Sequence, residues 1–132
     1  MNKITGIITD INSDNGLSLI NLKCGDQMMK SIVINHQDGS SGFKLNDSVT
    51  IMFKETEVFI GKGWDQEISL RNQFRGMIKS VKQGNILAEV VIECEVGEVR
   101  SVITVDATSE LSLSKGDKVT AMIKTNEVLL SH

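Results

Sequence analysis

The chain has 132 residues, which is enough for one ordinary domain or two very small ones. Its 14 lysine and arginine residues are outnumbered by 17 aspartate and glutamate residues, and its only aromatic side chains are four Phe and one Trp. This balance argues against a duplex-DNA surface or a base-stacking platform. No apolar run approaches the ~20 residues of a membrane span, so we expect a soluble cytoplasmic protein without nucleic-acid or membrane partners.

The first half of the chain is predicted to form short strands. The stretch "ITGIITDI" alternates apolar and polar residues, and its Gly6 predicts a bend or bulge. The strands "LSLINLKC" and "MMKSIVI" follow, and then the loop "NHQDGSSG". The last part, "KLNDSVTIMFKETEVFI", is typical of a turn, a strand, a short turn and a final strand.

The middle of the chain has the composition of a connector. The stretch "GKGW" at 61–64 lacks the glycine and lysine spacing of a nucleotide-binding loop, so it indicates a flexible linker. It leads into "SLRNQF" at 69–74.

The second half repeats the strand pattern with "FRGMIKSV", "ILAEVVIEC" and "EVRSVITV". In "VDATSEL", Asp106 is a candidate N-cap and Glu110 lies near the first turn, which predicts a short helix. The strand and turn pattern of "LSKGDKVTAMIKTNEVLL" closes the chain. There is no proline anywhere, which suits paired strands because each strand needs its N–H groups.

The two halves are a tandem duplication. Residues 2–60 laid over residues 72–130 without a gap give 14 identities in 59 pairs, against roughly four expected by chance. We therefore predict an all-β protein made of two tandem five-stranded Greek-key barrels of the OB type, each with at most one short helix. The predicted division is a first unit at 1–62, a linker at 63–68 and a second unit at 69–132.

The cysteines and histidines indicate neither a metal site nor a redox site. Cys24 and Cys94 occupy the same position of the two repeats, which predicts reduced, buried thiols. His36 lies in a polar loop and His132 ends the chain, and neither has metal-ligand spacing around it. We expect no bound metal and no catalytic residue.

Donor groups carry the candidate chemistry. Arg71 offers a planar fork of donors, Ser69 a hydroxyl group, and the loop before them free backbone N–H groups. The repeat also keeps a serine in an apolar strand, Ser31 or Ser101, and a lysine at a strand end, Lys54 or Lys124. A site of donors alone suits a fully ionised oxyanion, whereas acid–base catalysis would require a poised carboxylate or histidine.

The second half resembles the molbindin, or Mop, family of small cytoplasmic proteins of the TOBE class. The resemblance rests on the opening "SLRNQ", the glycine three residues after that glutamine, the "AEV" strand and the ending "KGDKVTAMIKTNEVLL". It implies a trimer of the two-unit chain that holds molybdate or tungstate at interfaces between Mop units, without a cofactor. It also implies an arm-ordering role for Asn72 and a set of oxyanion-binding residues: Ser69, the Leu70 N–H and Arg71 from one unit; Ser101, Lys124 and Thr125 from a neighbouring unit; and Ser31 and Lys54 as their counterparts in the first repeat.

The first repeat departs from this pattern. Met1 aligns with Arg71, so the repeat has no Ser-x-Arg arm, and Glu55 stands where Thr125 stands. A carboxylate beside a dianion is unfavourable. We therefore expect fewer or more unequal oxyanion sites than in a symmetric two-unit protein.

The leading hypothesis is intracellular storage or buffering of the oxyanion, and three other functions differ from it in what the sequence would have to contain. The alternative is an oxyanion-sensing module. Because the chain carries neither a helix-turn-helix segment nor a nucleotide motif, such a module would have to act through a transporter ATPase or a transcription-regulator partner. An OB-type nucleic-acid binder would need a basic, aromatic face. An enzyme would need acid–base residues that the sequence does not show.

Overall fold

The computed structural model describes residues 1–132. It contains ten strands, one α-helix and two single 3-10 turns, which we call the first turn (Glu55–Glu57) and the second turn (Thr125–Glu127). The strands are β1 (Asn2–Asp14), β2 (Leu17–Cys24), β3 (Gln27–Ile34), β4 (Ser48–Phe53), β5 (Phe59–Lys62), β6 (Asn72–Gln83), β7 (Leu87–Cys94), β8 (Gly97–Thr104), β9 (Lys118–Ile123) and β10 (Leu129–Ser131). The helix, α1, spans Val105–Glu110, so no helix here is long enough to cross a bilayer.

The duplication predicted from the sequence is visible in the structure. Each strand of the first half starts 70 residues before its counterpart in the second half, and the two 3-10 turns keep the same offset. The long strands β1 and β6 each carry an irregularity in their register with the next strand, at Ile8/Asp10 and at Ile78/Ser80. The fold is all-β with two tandem OB-like units, as predicted.

The two halves exchange their last strands. One sheet has the order β10-β4-β1-β2-β3, and the other has the order β5-β9-β6-β7-β8. Each five-stranded sheet therefore takes its edge strand from the other repeat. Leu130 pairs with Ile51, and Ile60 pairs with Ala121. The sequence boundaries at 1–62, 63–68 and 69–132 stay a prediction, but the sheets are not confined to one repeat each.

One apolar core joins the two repeats. Twenty buried side chains form a single cluster that draws on both sheets. Its largest fully buried members include Phe53 and Phe74, one from each repeat. Alternation explains the pattern, since in β1 the residues Asn2, Ile4, Gly6 and Ile8 point inward while their neighbours are exposed. A unit of this size is only marginally stable alone, so the shared core and the exchanged strands stabilise both halves together.

Gly6 and Gly76, the glycine that both repeats keep, allow neighbouring atoms to approach the backbone closely and do not form the bulge. A Cβ at Gly76 would lie 2.5 Å from Ile92 Cγ2 and 2.7 Å from the carbonyl oxygen of Glu93. A Cβ at Gly6 would lie 2.7 Å from Ile51 Cδ1. The register irregularity falls two to four residues later. Each of these strands therefore has the predicted irregularity, but it lies after the glycine and not at it.

Helix α1 forms where the sequence predicted a helix, but its N-cap is a different residue. The Thr104 side chain accepts a hydrogen bond from the backbone N–H of Ala107 at 3.1 Å. Asp106, the predicted cap, lies inside the first turn of the helix. There its negative charge faces the positive end of the helix dipole, which is a weaker contribution than a cap. The corresponding stretch of the first repeat is a loop, as predicted.

The thiols behave as predicted for structural cysteines. Cys24 and Cys94 are both free, and Cys24 is buried whereas Cys94 is half-buried. Each sulfur lies beside the glycine of its own repeat. Burial raises the pKa of the Cys24 thiol to about 11 and that of the Cys94 thiol to about 12.

Candidate oxyanion site

The predicted donor arm, residues 69–71, lies directly before β6. Ser69 and Arg71 are exposed and Leu70 is half-buried. The Arg71 Nη1 donates to the carbonyl oxygen of Ile68 at 3.3 Å, which turns the guanidinium back along the arm. The backbone N–H groups of Ser69 and Leu70 have no partner within the chain. The arm therefore presents the unpaired donors that an oxyanion requires.

Strand pairing brings Lys124 to the same end of the sheet as Arg71. Asn72 pairs with Ile123 in antiparallel register, so the next residues outward are Arg71 on one strand and Lys124 on the other. Thr125 follows at once and begins the second turn. Neither Arg71 nor Lys124 has a carboxylate partner. Two free cations at one strand end create a locally positive region on a chain whose net charge is −3.

Asn72 fastens this end of the sheet to the first repeat. Its Oδ1 accepts from the Lys30 backbone N–H at 2.7 Å, and its Nδ2 donates to the Lys30 carbonyl at 2.8 Å. The side chain of Asn72 is only 1% exposed. Asn2 makes the same pair of bonds with Arg100, at 2.8 and 2.9 Å. Asn72 therefore joins β6 to β3, next to the predicted arm.

A cavity of about 350 Å³ lies at this junction. It is lined by Asn21, Met28, Met29, Lys30, Arg71 and Asn72. The Lys30 side chain is exposed and has no carboxylate partner. The Asn21 Oδ1 is buried without a hydrogen-bond partner. The cavity thus collects cations from both repeats and no carboxylate.

The two strand serines are buried and hold the exchanged segments. The Ser31 hydroxyl donates to the carbonyl oxygen of Val128 at 2.8 Å, and the Ser101 hydroxyl donates to that of Val58 at 2.7 Å. Val128 and Val58 each end one of the 3-10 turns. Within one chain, Ser31 therefore lies with the segment that carries Lys124 and Thr125, whereas Ser101 lies with the segment that carries Lys54. Since a hydroxyl has one proton, both serines already use theirs.

The corresponding end of the first repeat is neutralised. The N-terminal ammonium group of Met1 forms an ion pair with Glu55. Arg100, the counterpart of Lys30, lies 2.9 Å from Glu89 and 3.5 Å from Glu98. The exposed Lys54 is the one cation there without a carboxylate partner. The two ends share a backbone plan but differ in charge.

Sequence reasoning missed Lys30 and Gln73. Lys30 and Arg100 stand at the same place in the repeat, and that exchange of one cation for another was the available signal. Gln73 closes the "SLRNQ" motif, but only the structure shows where its carboxamide group points. No group of three or more His, Cys, Asp or Glu side chains is placed to hold a metal ion.

The second half of the chain is similar to known proteins. The TOBE domain model matches residues 68–130. Molybdenum-pterin-binding protein 3 of Clostridium pasteurianum is 41% identical over 64 residues, which cover 48% of this chain and 94% of that protein. The chain belongs to this Mop family of the TOBE class. A probable molybdenum-pterin-binding protein of Haemophilus influenzae is 35% identical over 65 residues and is matched over 94% of its length.

A solved structure shows the two-unit form of the Mop fold. The cytoplasmic molybdate-binding protein ModG, in a form with molybdate bound, superposes with a TM-score of 0.89 at 24% identity. The match covers 98% of this chain and 94% of that one. At this identity the match establishes the fold, namely two Mop units in one chain.

Proposed function

We propose that this Mop protein binds molybdate or tungstate inside the cell for storage or buffering, without catalysis. The observation that carries the proposal is the donor arm, in which the Arg71 guanidinium has no carboxylate partner and lies beside the free N–H groups of Ser69 and Leu70. A tetrahedral dianion offers acceptors and no proton, so charge-assisted hydrogen bonds from these donors match it on every side. The relatives named as molybdenum-pterin-binding proteins, and the molybdate-bound ModG, support this choice of ligand.

We assign the donors as follows. The arm supplies the Ser69 hydroxyl, the Leu70 N–H and the Arg71 guanidinium. A neighbouring Mop unit in a homo-oligomer, a trimer of the two-unit chain, supplies the rest: Lys124 and Thr125 together with Ser31, or Lys54 together with Ser101, as the exchanged strands group them. For either strand serine to donate to the ligand, its hydroxyl must leave the carbonyl that it contacts within the chain.

Selectivity follows from the same donor set. Hydrogenphosphate carries a proton that needs an acceptor, and the arm has no carboxylate to accept it. Sulfate is smaller than molybdate, so a cavity fitted to the larger ion would hold sulfate with longer and weaker hydrogen bonds. A pterin would need an aromatic slot, and the one tryptophan, Trp64, already lies against two cationic side chains.

The two repeats are proposed to contribute unequally. Arg71 and Lys124 have no carboxylate partner, whereas at the corresponding end of the first repeat Glu55 pairs with the Met1 ammonium group, and Glu89 and Glu98 pair with Arg100. A carboxylate close to the dianion opposes binding through Coulomb repulsion. We therefore expect fewer than one tightly bound oxyanion per Mop unit.

Isothermal titration with molybdate, tungstate and sulfate tests the proposal. Arg71→Ala removes a charged donor, so its molybdate affinity should fall about 10- to 100-fold. Lys82→Ala is the matched control, because that exposed cation lies near the end of β6 that is opposite to the arm, and it should bind as the unchanged protein does. The mass of the assembly from light scattering tests the trimer. If the intact assembly does not bind molybdate or tungstate, the proposed function is wrong.

A further inference from the structure

The connector between the repeats is an ordered strap. We call residues 63–71 the strap. Its start is fixed by Thr120, a fully buried residue of β9, whose hydroxyl donates to the carbonyl oxygen of Gly63 at 2.7 Å. The Gly63 N–H donates to the carbonyl oxygen of Lys118 at 2.8 Å. This is a correction, because the sequence predicted a flexible linker here.

Trp64 anchors the strap to the outer face of β6 and β9. Its indole N–H donates to the carbonyl oxygen of Gly76 at 3.2 Å. The Arg75 guanidinium and the Lys118 ammonium lie 5.4 and 4.7 Å from the ring centroid, within the range of cation–π attraction. Arg75 also forms a two-pronged ion pair with Asp65 of the strap, with the closer contacts at 2.7 and 2.6 Å. The first third of the strap is thus held by several independent contacts.

Gln73 holds the other end, where the oxyanion-binding arm lies. Its Nε2 donates to the carbonyl oxygens of Leu70 at 2.8 Å and Gln66 at 3.0 Å. Both acceptors belong to the strap, and Gln73 itself is the second residue of the rigid strand β6. One carboxamide group therefore closes the strap into a loop at Leu70, in the middle of the arm.

We propose that Gln73 is a positioning residue that pre-forms the oxyanion arm; this inference rests on the proposed function of that arm. Fixing the Leu70 carbonyl fixes the orientation of the adjacent peptide groups. The Leu70 N–H and the Arg71 guanidinium are thereby held before the ligand arrives. A pre-formed arm binds more tightly because the ligand does not pay the conformational entropy of ordering it.

The test compares Gln73→Met with Gln27→Met in the full chain. Methionine is close to glutamine in length and lacks the amide donors. Gln27 is the matched control because its Nε2 also donates to a backbone carbonyl in this region, that of Gln73 at 3.0 Å, but it makes no hydrogen bond to a strap residue. Two measurements are made on each variant: NMR order parameters of the backbone N–H groups of residues 69–71 without ligand, and titration with sodium molybdate and sodium tungstate.

Gln73→Met should lower the order parameters of the arm from about 0.85, typical of rigid backbone, to below about 0.6, and should bind the oxyanions about 10- to 30-fold more weakly. Gln27→Met should leave both quantities unchanged. Trp64 fluorescence should stay as in the unchanged protein, since the anchor of the strap is untouched. A red shift toward the emission of the unfolded chain would mean that the whole strap detaches, and this would overturn the local role of Gln73.

The inference and the proposed function fail in different ways. If the unchanged protein binds molybdate and Gln73→Met binds equally well, the positioning role is wrong and the proposed function stands. If the unchanged protein binds neither oxyanion, both are wrong. If the two glutamine variants lower the order parameters of the arm equally, Gln73 has no special hold on it and the inference is wrong.

Discussion

Replacing Asn72 by alanine tests the junction between the repeats. The carboxamide of Asn72 makes two hydrogen bonds to the backbone of Lys30, at 2.7 and 2.8 Å. Lys30 lies in β3, which is an edge strand of its sheet, so these bonds satisfy a backbone pair that no neighbouring strand reaches. The asparagine side chain thus does for β3 at this point what a further strand would do.

The expected cost follows from those two bonds. Each hydrogen bond contributes about 0.5–1.5 kcal/mol net to stability. In the variant, the backbone N–H and carbonyl of Lys30 would also lose their partner at a site that is nearly closed to water, which adds to the loss. We expect Asn72→Ala to lower the free energy of unfolding by about 2–3 kcal/mol. For a chain of this length each kcal/mol shifts the midpoint by about 3.5 °C, so the melting temperature should fall by about 7–10 °C.

Urea and thermal unfolding followed by circular dichroism measure the change, at one fixed protein concentration because assembly affects apparent stability. Asn2→Ala removes the equivalent bonds to Arg100 and should cost a similar amount. Asn126→Ala is the control, since that side chain is exposed and makes no hydrogen bond within the chain, and it should stay within about 0.5 kcal/mol. A loss below about 0.5 kcal/mol in Asn72→Ala would mean that the two hydrogen bonds to Lys30 do not stabilise the junction.

Three further predictions concern the core. Gly76→Ala should destabilise the protein by more than about 2 kcal/mol in urea unfolding, and by more than Gly6→Ala. The new Cβ at Gly76 would meet a backbone oxygen at 2.7 Å, whereas the nearest neighbour of a Cβ at Gly6 is the end of a side chain. Equal losses in the two variants would contradict this. Burial raises the pKa of the Cys24 thiol from 9.0 to about 11, so at pH 8 iodoacetamide should react there about 100-fold more slowly than in the unfolded chain. Because Cys24 and Cys94 hold their protons more tightly when folded, their contribution to stability is complete below pH 9 and is lost as the pH rises through 11 to 12; stability that does not fall across that range would count against buried, neutral thiols.

The exchange of edge strands gives the duplication a physical role. Each repeat supplies β5 or β10 to the sheet of the other, and each strand serine, Ser31 or Ser101, bonds the turn that precedes the incoming strand. Neither half can complete its own sheet. A shared core of this kind lets two units that are small for independent folding form one stable body.

The amino-acid sequence by itself determined the class of fold, because the signals for it are local and repeated. Alternating apolar residues identify strands such as "ITGIITDI", the 70-residue offset identifies the duplication, and the lack of proline fits paired strands. The candidate oxyanion arm was also predicted from a local signal, since "SLRN" concentrates donors without a carboxylate.

Which segments lie next to one another is visible only in the tertiary structure. The exchange of β5 and β10 leaves no mark on periodicity, since a strand has the same alternation in either sheet. For the same reason the sequence could not tell that Ser31 would lie with Lys124 and that Ser101 would lie with Lys54. The strap read as a linker because its anchors, Thr120 and Gln73, are long-range partners that its own composition does not reveal.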